Sequence, residues 1–323
     1  LDTSAHRIQA YTARLGYDCT GKGIHWAVLD TGIKSAHPHF SQYDNIAATW
    51  NCCAAGEAIQ DEAEDATGHG THVAGIIAGS ESVTSIVEER GRYDGIAPQA
   101  KLHIYKVLDD SGRGRDSSLI KALDHIAETN ERSPELKIHG VNLSLGGPFD
   151  ANVYGCGHSP VCRELRRLWR MGVVVCIAAG NQGVMTVQSF GPEGPRPTQL
   201  SLDLSIGDPA NLEEAIAVGS VNKDFPHLYG VSYFSSRGPT ADGRVKPDVV
   251  APGEKITSCN HRFHSADPTS HYVQMSGTSM ACPHVSGILA GFLSVRGEFI
   301  GRPDEVKRFL LEHSIDLGRD QYH

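Results

Sequence analysis

Three patterned runs follow one another between residues 138 and 181: IHGVNLSLG (138–146), VCRELRRLWRMG (161–172) and VVVCIAAGN (173–181). The outer two are short, apolar and rich in β-branched residues, as strands buried on both faces are. The middle run reads as a helix that ends at Gly172. Strand, helix, strand is the crossover unit of a parallel sheet, and the pattern continues in both directions. IHWAVLD (24–30), KLHIYKVL (101–108), AIAVGSV (215–221) and DVVAPG (248–253) read as strands. HGTHVAGIIAGS (69–80), SSLIKALDHIAET (117–129), the stretch after Ser279 and PDEVKRFLLEHS (303–314) read as helices, the last opened by Pro303. Alternation of this kind predicts an α/β fold, a mostly parallel sheet covered by helices on both faces. No internal repeat or linker divides the chain, so residues 1–323 are expected to form one domain. SFGPEGPRPTQLSLD (189–203) reads as a long surface loop.

With 323 residues, 40% apolar and 21% charged, the chain has an ordinary globular composition. Its net charge of −9 argues against nucleic acid as a partner. No apolar run reads as long enough to cross a bilayer, so no membrane partner is expected. The start, LDTSAHRIQAYTARLGYDC, does not read as a signal peptide. Leu1 in place of an initiator methionine leads us to expect sequence upstream, and LGRDQYH at the other end suggests a truncation. The eight cysteines include no pair of CxxC motifs, and Cys176 and Cys282 sit in apolar surroundings as buried thiols do. A reducing, cytoplasmic setting fits them, with secretion as the alternative.

In a parallel sheet, function gathers where strands end. Asp30 ends one strand, Asn181 ends another, and His69 heads a helix in DATGHGTHVAG. Ser279, in QMSGTSMACPHVSG (274–287), follows a glycine and precedes an apolar helical run, near that helix's positive end. Each residue also has an ordinary reading. Ser279 can be a helix cap, Asp30 a turn residue, and Asn181 a strand end. His69 and His72 can be core histidines or an i,i+3 metal pair, although no HExxH motif is present. Together they supply a nucleophile, a base to deprotonate it, an acid to fix that base and an amide to steady an oxyanion.

AVLDTGI (27–33), GHGTHVAG (68–75), NLSLG (142–146), AAGN (178–181) and GTSMACPHVSG (277–287) resemble, in order, the signature blocks of the subtilisin-like serine proteases. FSSRGPTADGRVKPDVVAPG (234–253) is similar to the stretch before the nucleophile in many members, and the likeness runs from about Lys22 to about His313. The chain order Asp, His, Ser is taken from this resemblance. It implies a three-layer fold around a roughly seven-stranded parallel sheet, and a serine endopeptidase working through an acyl-enzyme. Asp30 would orient His69, His69 would act as general base and then acid, Ser279 would attack, and Asn181 would donate to the oxyanion. An extended peptide or protein substrate would lie between Ser111-Gly112-Arg113-Gly114 and Ser144-Leu145-Gly146. The primary pocket would be walled by Leu145-Gly146, Ala178-Ala179-Gly180 and IGDPA (206–210), which contains Gly207 and Asp208. An inhibitory pro-segment would precede the chain. Style and thiol content resemble the bacterial intracellular members of the family.

Several positions depart from the family pattern. Cys282 stands where threonine is frequent, open to thiol reagents and a rival nucleophile to Ser279. Asp208 and Asp116 either favour basic substrate side chains or are solvated loop carboxylates. His39, in HPHF (37–40), replaces a calcium-binding aspartate of subtilisin, so the strong calcium site is not expected, and no cofactor is required for the chemistry. DEAED (61–65) binds a cation or is a solvated loop. A dedicated peptide-maturation protease would share all these motifs, and a non-catalytic binding module would normally have lost one of the three residues. A lipase or esterase would carry G-x-S-x-G in the order Ser, Asp, His, which is absent here.

Overall fold

Trp26 to Asp30 are buried without a break, and their strand, His25–Asp30, runs through the middle of an eight-stranded sheet. In this computed structural model, residues 2–83, 91–147, 156–191 and 194–318 are described. The strands lie in the order Val249–Pro252, Ile216–Val221, Val174–Ala178, Gly140–Leu143, His25–Asp30, Lys101–Lys106, Ile46–Asn51 and Ile59–Gln60. The first seven are parallel; Ile59–Gln60 adds a two-residue antiparallel edge to them. The α/β class and the parallel sheet are as the sequence predicts.

Helices cover the sheet. Thr278–Val295 crosses the strands from Gly140–Leu143 to Val249–Pro252 and packs beside His69–Ile77, while Asp116–Glu131 and Pro160–Arg170 pack on each other. Pro160–Arg170 buries Val161, Leu165, Leu168 and Trp169 and turns its arginines outward; Gly172, with φ 97°, follows its end. Thr278–Val295 corrects one reading of the sequence, because it is long and apolar enough to cross a membrane by length and composition. Most of it is buried against the sheet, which accounts for its apolar character.

The stretch 189–203 is a second correction. Val184–Gly191 pairs antiparallel with Gly194–Ser201 as an exposed ribbon. Pro195 and Pro197 stand two residues apart, opposite Phe190 and Gln188. Alternate residues of a strand turn their nitrogens the same way, so both ring nitrogens can face away from the partner and cost no ladder bond.

The sheet brings the polar strand ends together. Asp30 closes the central strand, Ser144 follows its neighbour Gly140–Leu143, and Asn181 lies three residues beyond Val174–Ala178. These are carboxyl ends on one side of a parallel sheet, beside the place where the strand order reverses.

Candidate active site

Asp30 is fully buried, and its Oδ1 accepts bonds from Thr31 N (2.8 Å) and His69 Nδ1 (2.7 Å). Its Oδ2 is buried without a hydrogen-bond partner among the described residues. His69 opens the His69–Ile77 helix, whose approach to the central strand depends on glycine. A Cβ on Gly70 would lie 2.2 Å from Gly32 O and 3.2 Å from Asp30 Cβ. Gly68, just before the helix, has φ 89°, and a side chain there would strike the His261 ring. Burial alone would depress the His69 imidazole. The Asp30 charge, the hydrogen bond to it and the Asp65 charge outweigh burial and hold it above the usual histidine value.

Ser279 is the second residue of its helix and does not cap it; Gly277 occupies the cap position without a side-chain bond. Pro283 explains part of the local design. Lacking an N–H, it cannot bond the carbonyl four residues back, which belongs to Ser279. That carbonyl instead accepts from Ser144 Oγ at 2.8 Å. Ser279 Oγ in turn donates to Ser144 O at 3.0 Å, so the two serines are clamped together, and among the described residues no hydrogen bond joins Ser279 Oγ to His69. Asn181 Oδ1 accepts from Thr278 N (2.9 Å) and Thr278 Oγ1 (3.1 Å). This pins the amide at the start of the helix that carries Ser279 and leaves its Nδ2 without a protein acceptor among the described residues, near Gly277.

His69, Ser111, Gly112, Gly114, Ser144, Leu145, Gly146 and Asp208 line one cavity of about 590 Å³. Arg115 and Asp116 complete its wall where Arg113 was expected; Arg113, Ala178, Ala179, Gly180 and Gly207 do not line it. Ala178, Ala179 and Gly207 are buried behind it, while Gly180 donates its N–H to Thr278 Oγ1. The turn at Ser111 is held by Asp109, whose Oδ1 accepts from Ser111 N, Ser111 Oγ and Arg113 N. Asp208 reaches the cavity, yet its carboxylate accepts from Gly157 N (3.0 Å) and Ser159 N (3.2 Å), so its charge serves the neighbouring loop. A larger cavity, about 790 Å³, lies between the edge strand Val249–Pro252 and the C-terminal helix and contains none of these residues. The smaller one is lined by His69, while Asp30, Asn181 and Ser279 are not among its lining residues.

The remaining alternatives also find their places. His72 is fully buried, with Nε2 shared between Ile256 O (3.0 Å) and Val273 O (3.1 Å), and burial pushes it down to about 3. That makes it a neutral core histidine. Cys282 is fully buried and its thiol raised well above the usual value by burial, so it is neither accessible to reagents nor a ready thiolate. His39 is buried and pushed down to about 3, chiefly by burial and by His37; Nε2 faces Gly75 O (3.2 Å) and Ala78 O (3.1 Å). An imidazole N–H on two carbonyls is not the hard oxygen donor that calcium takes, so this position does not fit the ion.

DEAED is not simply a solvated loop. Asp65 is 2% exposed and accepts six hydrogen bonds. Lys106, also buried, donates to Thr31 O, Glu64 O and Asp110. The sequence reading missed both; the threonines and glycines crowded around Asp65 in DATGHGT were the available signal.

Residues 21–322 match the profile described as the Subtilase family. The chain is 34% identical to Serine protease AprX of Bacillus subtilis (strain 168) over 99% of its own length and 68% of that protein's. It is likewise 34% identical to the Major intracellular serine protease of the same organism, over 92% of this chain and 77% of the relative. Among solved structures, Sphericase superposes with a TM-score of 0.69 at 26% identity, over 91% of this chain and 84% of the other.

Proposed function

The chain belongs to the subtilase family of serine proteases, and from that premise we propose that it is an endopeptidase whose acyl-enzyme forms on Ser279. An extended peptide enters the cleft between Ser111–Gly114 and Ser144–Gly146. Its arrival turns Ser279 Oγ from Ser144 O toward His69 Nε2. His69 takes the hydroxyl proton as Oγ attacks the carbonyl carbon, and Asp30 steadies the imidazolium that results. The oxyanion is met by the Ser279 N–H at the helix start and by Asn181 Nδ2, whose Oδ1 is already tethered. His69 then gives its proton to the leaving amine, and water repeats the sequence in reverse to release the acid. All the groups this chemistry needs are side chains and one backbone amide, so we propose that no cofactor takes part. We further propose that residues 1–323 act as one catalytic unit, with a pro-segment as occupant of the same cleft.

The observation that carries the reading is the 2.7 Å bond between a fully buried aspartate and His69 Nδ1 at the wall of that cleft. It fixes the imidazole tautomer that leaves Nε2 free as a base. Labelling with a fluorophosphonate and mapping the modified residue tests it. Modification of Ser279, lost in Ser279→Ala, is expected; modification elsewhere, or none, sinks the assignment.

A further inference from the structure

The His69–Ile77 helix starts with no side chain capping it from Gly68. Asp65, three residues before that glycine, does the equivalent work and more. Its Oδ1 accepts from Gly68 N (2.8 Å), Thr67 N (3.1 Å), Thr67 Oγ1 (3.1 Å) and Thr31 Oγ1 (2.8 Å). Its Oδ2 accepts from Thr71 N (2.8 Å) and Thr71 Oγ1 (2.6 Å). One oxygen therefore reaches across to the central strand and the other into the first turn of the helix. Thr31 completes the loop: its Oγ1 accepts from Gly70 N at 2.9 Å and its own N–H donates to Asp30 Oδ1 at 2.8 Å. Lys106 Nζ holds the Thr31 carbonyl from the other side at 2.8 Å.

We propose that Asp65 is a positioning residue, a buried anion that sets where Asp30 and His69 stand relative to each other and that strengthens His69 as a base. An acceptor of six bonds leaves its ligands little freedom, and those ligands include the residue after Asp30 and the residues on both sides of His69's first turn. The charges facing His69 are few. Asp30 and Asp65 favour its protonated form, and Arg115 and Asp116 line the same cavity. His72 in the next turn is kept neutral by burial, and the His261 ring packs against Gly68. The Asp65 carboxylate is itself held below its usual range: burial opposes this, but the bonds from Thr71, Gly68 and Thr31 prevail. It is therefore charged throughout the range in which His69 titrates.

The inference rests on the proposed role of His69, and the test separates the two. The pH dependence of kcat/KM on a short peptide p-nitroanilide is measured for the wild-type protein, Asp65→Asn and Thr31→Val, with thermal unfolding as the check on folding. Asp65→Asn retains the shape but loses the charge and turns an amide donor toward Thr71 N. It is expected to lower kcat on the order of 10- to 100-fold, the scale of a misplaced catalytic group, and to move the acid limb to lower pH. Thr31→Val retains the charge and breaks the link; it is expected to lower kcat with the acid limb unmoved. A folded Asp65→Asn protein with wild-type kcat and an unmoved acid limb overturns the proposal. Should Asp65→Asn not fold, wild-type kcat in Thr31→Val overturns it just as firmly. A wild-type protein that neither cleaves the peptide nor reacts with fluorophosphonate refutes the reading of the site instead.

Discussion

Ser279 Oγ and Ser144 O are 3.0 Å apart, and that bond must break before the hydroxyl can meet His69. The start of the helix carrying Ser279 is held by the bonds from Thr278 to Asn181. Ser279→Ala is expected to abolish hydrolysis of a peptide p-nitroanilide, while Cys282→Ser leaves most of it and thiol alkylation of the folded protein leaves activity intact. The opposite pattern would transfer attack to sulfur. Asn181→Ala should cost roughly 10²–10³ in kcat with little change in KM, the usual penalty for one lost oxyanion donor. Asp208→Asn should weaken the loop at Gly157–Ser159 more than it changes the ratio of cleavage after basic and apolar residues; a collapse of that ratio would give Asp208 a direct part in selection. The positions of Asp30, His69, Asn181 and Ser279 at or near the ends of patterned elements were readable in the sequence. Asp65 was overlooked although most of its partners stand within six residues of it, and Lys106 because Thr31 and Glu64, which it joins, lie far from it along the chain.

The His69–Ile77 helix shows how an element is fitted to a site. Its fit against the central strand depends on the missing Cβ of Gly70. Gly70→Ala should push the helix from Asp30, cost about 1–3 kcal/mol in urea unfolding as overpacking does, and lower kcat; unchanged stability would mean that the strand gives way easily. Farther along, the Gly75 and Ala78 carbonyls of the same region are taken by His39. Chelation with EDTA is accordingly expected to shift the melting temperature by less than about 2 °C, a small fraction of a domain's stability, and a large loss would reveal a calcium site elsewhere. Most of the long helices and six of the seven parallel strands were readable from apolar periodicity, but the half-buried strand Ile46–Asn51 was not. The ribbon Val184–Gly191 with Gly194–Ser201 was hidden by Pro195 and Pro197, which mark a loop in composition but occupy strand positions that need no donor.

Across the whole molecule, many buried groups are held neutral. His39 and His72 are pushed down to about 3, and His103, His139 and His284 to about 4, each chiefly by burial. An unfolded chain takes up these protons below about pH 6.5, whereas the folded one resists until near pH 4. Their stabilisation is thus complete above about 6.5 and drains away as the pH falls. His69 works in the opposite sense, its raised value lending stability at low pH that fades as the pH rises through it, but it is one group against several. Melting temperatures measured from pH 8 down to pH 4.5 should decline steeply below about 6.5; a flat profile to pH 5 would contradict this assignment of neutral histidines.

Ser279, the proposed nucleophile, rides on the Thr278–Val295 helix, the next to last α-helix among the described residues, which lies across four of the sheet's strands. During synthesis Asp30 and His69, the proposed acid and base, leave the ribosome long before Ser279. A nascent polypeptide arrested before Thr278 should therefore be inert toward its neighbours, because the danger of premature cutting is postponed until all eight strands of the sheet have emerged.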